Sequence, residues 1–380
     1  MVKLRKEERT SVSRGMANRE RILALLNHET PDRVPWFGDL DYWYHAAEKA
    51  GKLPPKYRGD GYFQLNRDLG VGFYLQGYFA FQQHNPGITF SETISGDQRI
   101  RTMHTPKGDL IEVQQYLPTS FSWGYVKHFV DKVEDLPAFR SYLQSLEFTP
   151  EYAEAERRKG IIGDNGVVLC YAPRSPFMQM VTTYIGITSL VYLLADAPDE
   201  MAEIFDMMER KYDRAAEIAV DSPAECIMIP ENLSSEVVGA RYYKQYLRPY
   251  ESKWIKRIRQ AGKYSFIHMD GTLKGLLKHV AETGFDVIEA ATPCPSGDMT
   301  MEEIAAEVTT DTIIWGGMPG IIFTPNFPEA DFIEHTQHVL QVMKRKPAYV
   351  LGVADQVPPD GILERVGMVA ALCDEYGRYE

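Results

Sequence analysis

The sequence predicts an α/β fold: a distorted (β/α)8 TIM barrel with an N-terminal helical extension and a β-hairpin insertion. Three observations predict it. From residue 166 onward, short apolar runs alternate with amphipathic helical stretches, and strands that alternate with helices pair in parallel through crossover connections. The length, 380 residues, is ordinary for one such barrel. No GxGxxG follows an early apolar run, so nothing supports the competing open sheet built around a dinucleotide.

Taken in order, residues 1–16 read as a loose arm and 17–380 as a single barrel. "NRERILALLNH" carries Ile22, Leu23, Leu25 and Leu26 on one helical face, with Asn18 as its cap. "DRVPWFGD" supplies a strand at Val34–Phe37, and a less regular strand is expected near 70–78. From about 85 to 120 the pattern changes to alternation around a Pro-Lys-Gly-Asp turn, which places a hairpin insertion at about 90–118. Residues 133–160 are charged and read as helical. Then come the strand-like runs "GVVLCYA", "ECIMIPE", "YSFIHMD", "DVIEAAT", "TIIWGG" and "AYVLGVAD". Helical stretches at 188–219, 241–261, 272–283, 300–308 and 329–345 separate or follow them.

Composition narrows the function. A net charge of -12 leaves no basic surface for a phosphate backbone, which argues against nucleic acid as partner. No apolar run reaches the roughly 18 residues of a membrane span. The basic start has no apolar stretch behind it, unlike a secretion signal, so a cytoplasmic protein is expected. Cys170, Cys226, Cys294 and Cys373 are scattered, without CxxC, and read as free thiols. Of these only Cys294, in "TPCPSGD", follows a strand end directly and has some claim to face a site. Oligomeric state is left open.

Chemistry in such a barrel sits at the carboxyl ends of the strands. Those ends carry Asp39 and Asp41, Arg174, Glu231 and Asn232, His268 and Asp270, Glu289, and Asp355. Each has a structural explanation: Asp270 and Asp355 could cap helices, Glu289 could pair with a cation, and His268 could be a hydrogen-bonded core histidine. The case for a site rests on their convergence. Arg174 could clamp a substrate carboxylate or pair with an acid such as Asp199. Trp43, Trp123 and Trp315 fall near loops or strand ends, where aromatics either pack the rim or line a pocket.

Four segments carry a family resemblance: "NRERILALLNHETPDRVPW", "HMDGTLKGLLKHVAETGFDVIE", "IIWGGMPG" and "LGVADQVPPDGILERV". In order and spacing they resemble the uroporphyrinogen decarboxylase-like superfamily, from about residue 17 to the C-terminus. That superfamily includes uroporphyrinogen decarboxylases and corrinoid-linked methyltransferases, with cobalamin-independent methionine synthase as a distant relation. The decarboxylase branch uses no metal and an N-terminal Arg-Gln-Ala-Gly-Arg segment. Here "RQAGKYS" lies instead at 259–265, where it reads as a helix end with a glycine cap. "FGDLDYWYHAA" is acidic and aromatic, a poor cradle for a substrate with many carboxylates.

The methyltransferase branch binds zinc through His-x-Cys at one strand end and a Cys near the last strand, with a Glu between them in the methionine synthase relatives. The resemblance therefore implies a metal set of His268, Asp270, Glu289 and Asp355, with carboxylates at both thiolate positions. His and carboxylate ligands leave a harder Lewis acid than thiolates do, suited to an oxygen atom. The expected reaction is O-demethylation: methyl transfer from a small ether or alcohol donor to a corrinoid protein. Zinc is the metal implied, although such a set also accepts manganese or iron. Asp39, Trp43, Arg174, Glu231, Asn232 and Trp315 are the expected substrate contacts. The chain shows no Asp-x-His-x-x-Gly corrinoid motif, so the corrinoid is expected on a partner. The alternatives are a tetrapyrrole-type decarboxylase and a non-catalytic barrel.

Overall fold

The computed structural model describes residues 15–74, 77–118, 121–309, 311–346 and 348–379. Most of the loose arm expected at 1–16 lies outside the described residues. A first helix, Asn18–Leu26, starts one residue before expectation: Ala17, not Asn18, is its cap, and Glu20 accepts a hydrogen bond from the Ala17 N–H at 2.6 Å. Ile22, Leu25 and Leu26 of this helix join the apolar cluster that fills the barrel, so the helix closes the amino-terminal end.

Strand β1 (Trp36–Phe37) is short and buried. Helices Asp41–Lys49 and Gly61–Asp68 follow. The chain then builds β2 (Phe81–His84), β3 (Thr89–Ser95), β4 (Gln98–Thr105), β5 (Gly108–Leu117), β6 (Ser122–Lys127) and β7 (Glu147–Pro150) before returning to the barrel. Strands β3 to β6 form a four-stranded antiparallel sheet, and β2 pairs with β7. The insertion is thus larger than the hairpin expected at 90–118. It gains β6, whose exposed Val126 and small Gly124 lack the alternation that marked its neighbours. The helix expected over 133–160 is likewise interrupted by β7, because Phe148 leaves the helical face to pair with Gln83 and pack on Phe81.

Strands β8 (Leu169–Tyr171), β9 (Cys226–Leu233), β10 (Tyr264–Met269), β11 (Val287–Ala291), β12 (Ile313–Pro319) and β13 (Tyr349–Ala354) complete a parallel sheet in the order β1-β13-β12-β11-β10-β9-β8. Three isolated parallel bridges, Phe37 to Gly72, Phe73 to Gly166 and Phe79 to Tyr171, run between β1 and β8 and close the ring. The strand expected near 70–78 is therefore reduced to a bridging pair. Glycine explains why: a Cβ on Gly72 would lie 2.4 Å from the Phe37 ring, and one on Gly166 would lie 1.8 Å from the Phe73 carbonyl oxygen. Residues that permit this approach make a poor ladder.

Alternation sorts the side chains. Phe37, Met228, Phe266, Val287, Trp315 and Val350 point into the barrel, while Ile227, Ile267, Ile288, Ile314 and Leu351 face the surrounding helices. The outer helices include Pro198–Asp221, Arg248–Gln260, Glu329–Met343 and Leu363–Tyr376. Only Leu277–Ala281 of the stretch expected at 272–283 is helical. The "RQAG" segment ends the Arg248–Gln260 helix, with Gly262 at a φ of +70°, as a glycine cap requires.

Candidate active site

Because Phe266 points inward, His268 and then Asp270 share its side of the chain; Glu289 follows Val287, and Asp39 follows Phe37, in the same way. These residues meet at the carboxyl end of the barrel. Glu289 is wholly buried, and His268 is 7% exposed. The His268 Nδ1–H donates to Glu289 Oε2 at 2.5 Å, and the Tyr74 hydroxyl donates to Glu289 Oε1 at 2.7 Å. The other imidazole nitrogen, Nε2, faces Asp355 Oδ1 at 3.7 Å and Asp270 Oδ1 at 3.8 Å.

Charge at this end is unbalanced. Burial disfavours a charged His268, but the Glu289 carboxylate, aided by Asp355 and Asp270, outweighs it and lifts the imidazole to about 10. Burial holds Asp270 above the ordinary carboxylate range, and the Asp355 charge adds to it. Asp39 is pushed well up by burial, then by Asp41, Asp355 and Glu289. One histidine thus faces several carboxylates that oppose one another's ionisation. A cation is the natural complement of such a set.

Backbone strain marks the same rim. Asn232 and Ala290 take φ values of +57° and +67°, directly after Glu231 and Glu289. The strand register slips beside both, between Ile267 and Met269 on β10 and between Ile288 and Ala291 on β11. Bulges of this kind re-aim side chains at barrel rims.

The other expected contacts divide. Asp39 Oδ1 accepts from the Asp41 N–H at 2.8 Å, at the head of the Asp41–Lys49 helix. Trp43 donates from Nε1 to the Gly361 carbonyl at 3.0 Å and lines a cavity of about 600 Å³ with Pro118, Phe121 and Pro359. Trp315 does not line a pocket: it is wholly buried inside the barrel against Tyr74, Phe37 and Phe266, with ring centroids 4.3, 5.1 and 5.8 Å away. Glu231 falls on the opposite phase from Met228 and turns outward, where it accepts from the Ser175 N–H at 3.0 Å and the Ser175 hydroxyl at 3.1 Å. Asn232 is exposed. The Arg174 side chain makes no ion pair with Asp199 among the described residues. Cys294 is exposed, with its thiol turned to the Gly297 carbonyl at 3.5 Å. Tyr74 is the site residue that sequence reasoning missed. Its signal was its place within the weak strand expected near 70–78.

No three His, Cys, Asp or Glu side chains among the described residues are already drawn together as a metal-holding group. The donor set nevertheless fits one. Two bonds of about 2.0–2.2 Å meeting near the tetrahedral angle separate their donor atoms by roughly 3.4 Å. His268 Nε2 stands within a few tenths of that from both Asp270 and Asp355. Glu289 has a different part, since its two oxygens are taken by His268 and Tyr74.

Fold and rim together define a class: a closed (β/α)8 barrel with a histidine–carboxylate site at the carboxyl ends of its strands. The chain belongs to the uroporphyrinogen decarboxylase (URO-D) family, whose model matches residues 146–376, more than half its length. That region holds His268, Asp270, Glu289 and Asp355 and leaves out Asp39 and Tyr74. No curated protein matches the sequence. Among solved structures, a methyltransferase from Methanosarcina mazei is similar with a TM-score of 0.60 at 14% identity, over 95% of this chain and 99% of that one. This likeness shows the fold. A 3-dehydroquinate dehydratase from Geobacillus kaustophilus HTA426, at a TM-score of 0.23 and 11% identity over 66% of this chain and 79% of its own, carries no argument. Among the described residues, no helix is long and apolar enough to cross a membrane.

Proposed function

We propose that this protein is a metal-dependent methyltransferase that moves a methyl group from an oxygen-bound donor, a methyl ether or alcohol, to a corrinoid protein. The observation that carries the reading is the division of labour on His268: Nδ1 is held by Glu289, leaving Nε2 between Asp270 and Asp355. The M. mazei relative, named as a methyltransferase, supports it at the level of fold. His268, Asp270 and Asp355 would hold the ion, with zinc first in line. When bound, it supplies Lewis acidity that makes the methyl carbon of an ether or alcohol more electrophilic and its oxygen a better leaving group.

The chain's own groups have defined duties in this scheme. Glu289 fixes the imidazole tautomer and raises the basicity of Nε2, and Tyr74 fixes Glu289. Asp270 and Asp355 neutralise the cation and favour a hard metal over a thiophilic one. Asp355, with its side chain 53% exposed, keeps the rim open to a macromolecular partner. The donor's methyl–oxygen bond breaks with its electron pair on oxygen, and the methyl passes to the corrinoid protein.

The test has two parts. Protein purified without chelator should contain about one equivalent of divalent metal, and His268→Ala should lose both metal and methyl transfer while keeping the far-ultraviolet circular dichroism of the parent. A methyl ether should be consumed with reduced corrinoid protein, whereas uroporphyrinogen should not yield coproporphyrinogen. Metal-free protein that decarboxylates uroporphyrinogen would move the chain to the decarboxylase branch.

A further inference from the structure

The loop after β8 carries Arg174, a cation without an ion pair among the described residues. Ala172, Pro173 and Ser175 are each tied down: the Ala172 N–H donates to the Met228 carbonyl at 2.8 Å, the Tyr250 hydroxyl to the Pro173 carbonyl at 3.3 Å, and Ser175 to Glu231 twice. Arg174 is therefore presented from a rigid loop. Its Nε is buried and has no hydrogen-bond partner, and no ion pair of its guanidinium occurs among the described residues. The charge is not idle: it opposes the upward push of burial on the Glu231 carboxyl. Glu231, however, already spends both oxygens on Ser175.

Arg174 opens into a cavity of about 280 Å³ whose walls include Phe79, Phe81, Phe148, Gln179 and Tyr212. That is the small end of ligand pockets, and its combination of aromatic walls with one placed charge is the usual recipe for orienting a ligand. The cavity adjoins the rim. Tyr171 packs edge-on against Phe79 at 5.2 Å, while Asp39, Glu289 and Asp355 act electrostatically on its hydroxyl. Thus Tyr171 stands between the acidic cluster and the aromatic cavity. A buried guanidinium N–H left without a partner costs free energy, and a carboxylate is the group whose geometry matches its fork.

We infer that the Arg174 cavity binds the carboxylate of a small aromatic acid, with the ring held by Phe79, Phe81 and Phe148. The binding site stands independently of the proposed methyl transfer. Arg174 is then a specificity-determining residue, placed to tell an acid from a neutral ring of the same shape.

Calorimetric titration of the full chain with benzoate and with benzamide tests this without any turnover. Benzoate should bind at least roughly tenfold more tightly than its neutral isostere, as a charge-assisted hydrogen bond implies. Arg174→Met should erase the preference, Arg174→Lys should retain part of it, and His268→Ala should leave it intact. Equal affinity for the two probes in the parent protein would overturn the inference, whatever the variants do. So would unchanged benzoate binding in Arg174→Met. A failure of methyl transfer with intact benzoate preference would count against the proposed reaction and leave the pocket standing.

Discussion

His268 does its work with two nitrogens that have separate partners, and a substitution on either side should give a distinct loss. Glu289→Gln keeps the volume but removes the charge that fixes the tautomer. Metal affinity should fall about 10–100-fold, read by competition with a chromophoric chelator, while the fold persists. Tyr74→Phe removes one hydrogen bond from Glu289 and should cost less than Glu289→Gln in the same assay. The reverse ranking would mean that Tyr74 acts on the substrate directly. Asp270→Cys combined with Asp355→Cys should raise zinc affinity yet lower turnover of an ether, because thiolates donate charge and weaken the Lewis acid.

Among the elements, β11 combines regular pairing with one strained residue, Ala290, at the point where its register slips. Ala290→Gly should be neutral or gain up to about 1 kcal/mol in urea unfolding, whereas Ala290→Val should lose about 2 kcal/mol, since a β-branched residue resists positive φ. The Arg248–Gln260 helix holds another buried acid. Glu251 accepts from the Tyr243 hydroxyl at 2.6 Å, and its other oxygen has no partner. Burial, then the Glu231 charge, pushes the Glu251 carboxyl well above its ordinary 4.5. Its folded form therefore keeps a proton that the unfolded chain releases. Stability falls as pH rises above the unfolded value, by at most about 1.4 kcal/mol per unit from this group. Glu251→Gln should flatten the decline of melting temperature between pH 5 and pH 8; an unchanged slope would show that another group sets it.

At the scale of the molecule, the barrel is held shut by its weakest seam. The Gly72 N–H donates to the Trp36 carbonyl at 2.9 Å and the Val167 N–H to the Phe73 carbonyl at 3.1 Å, in place of a full ladder. Gly166→Ala would drive a methyl group into the Phe73 carbonyl and part the seam. A loss of at least about 2 kcal/mol is expected, with faster hydrogen exchange at the Val167 amide than at β10 or β12 amides. Uniform acceleration everywhere would mean that the seam opens only with global unfolding. The insertion was harder to read than the barrel for a related reason. Its β3–β5 strands alternate visibly, but β6 and β7 exist through the partners they meet, not through their own pattern.

The amino-acid sequence by itself determined the barrel class and the run of six strands from β8 to β13, because two-residue and 3.6-residue periodicities are local and leave a direct trace. It also placed His268, Asp270, Glu289 and Asp355 toward the carboxyl ends of strands, since an apolar run precedes each group, although β11 continues two residues past Glu289. What only the tertiary structure decided is which strand-end residues enter the barrel. Alternation shows that Glu289 lies on the side of Val287 and Glu231 on the side of Ile229, but it does not say which side is the interior. That depends on how a closed ring of strands packs against its helices. The same closure buried Trp315, left Arg174 without an ion pair among the described residues, and brought Tyr74 to Glu289 across 215 positions of sequence. Contacts between residues so far apart have no local signature, and they exist only once the ring has closed.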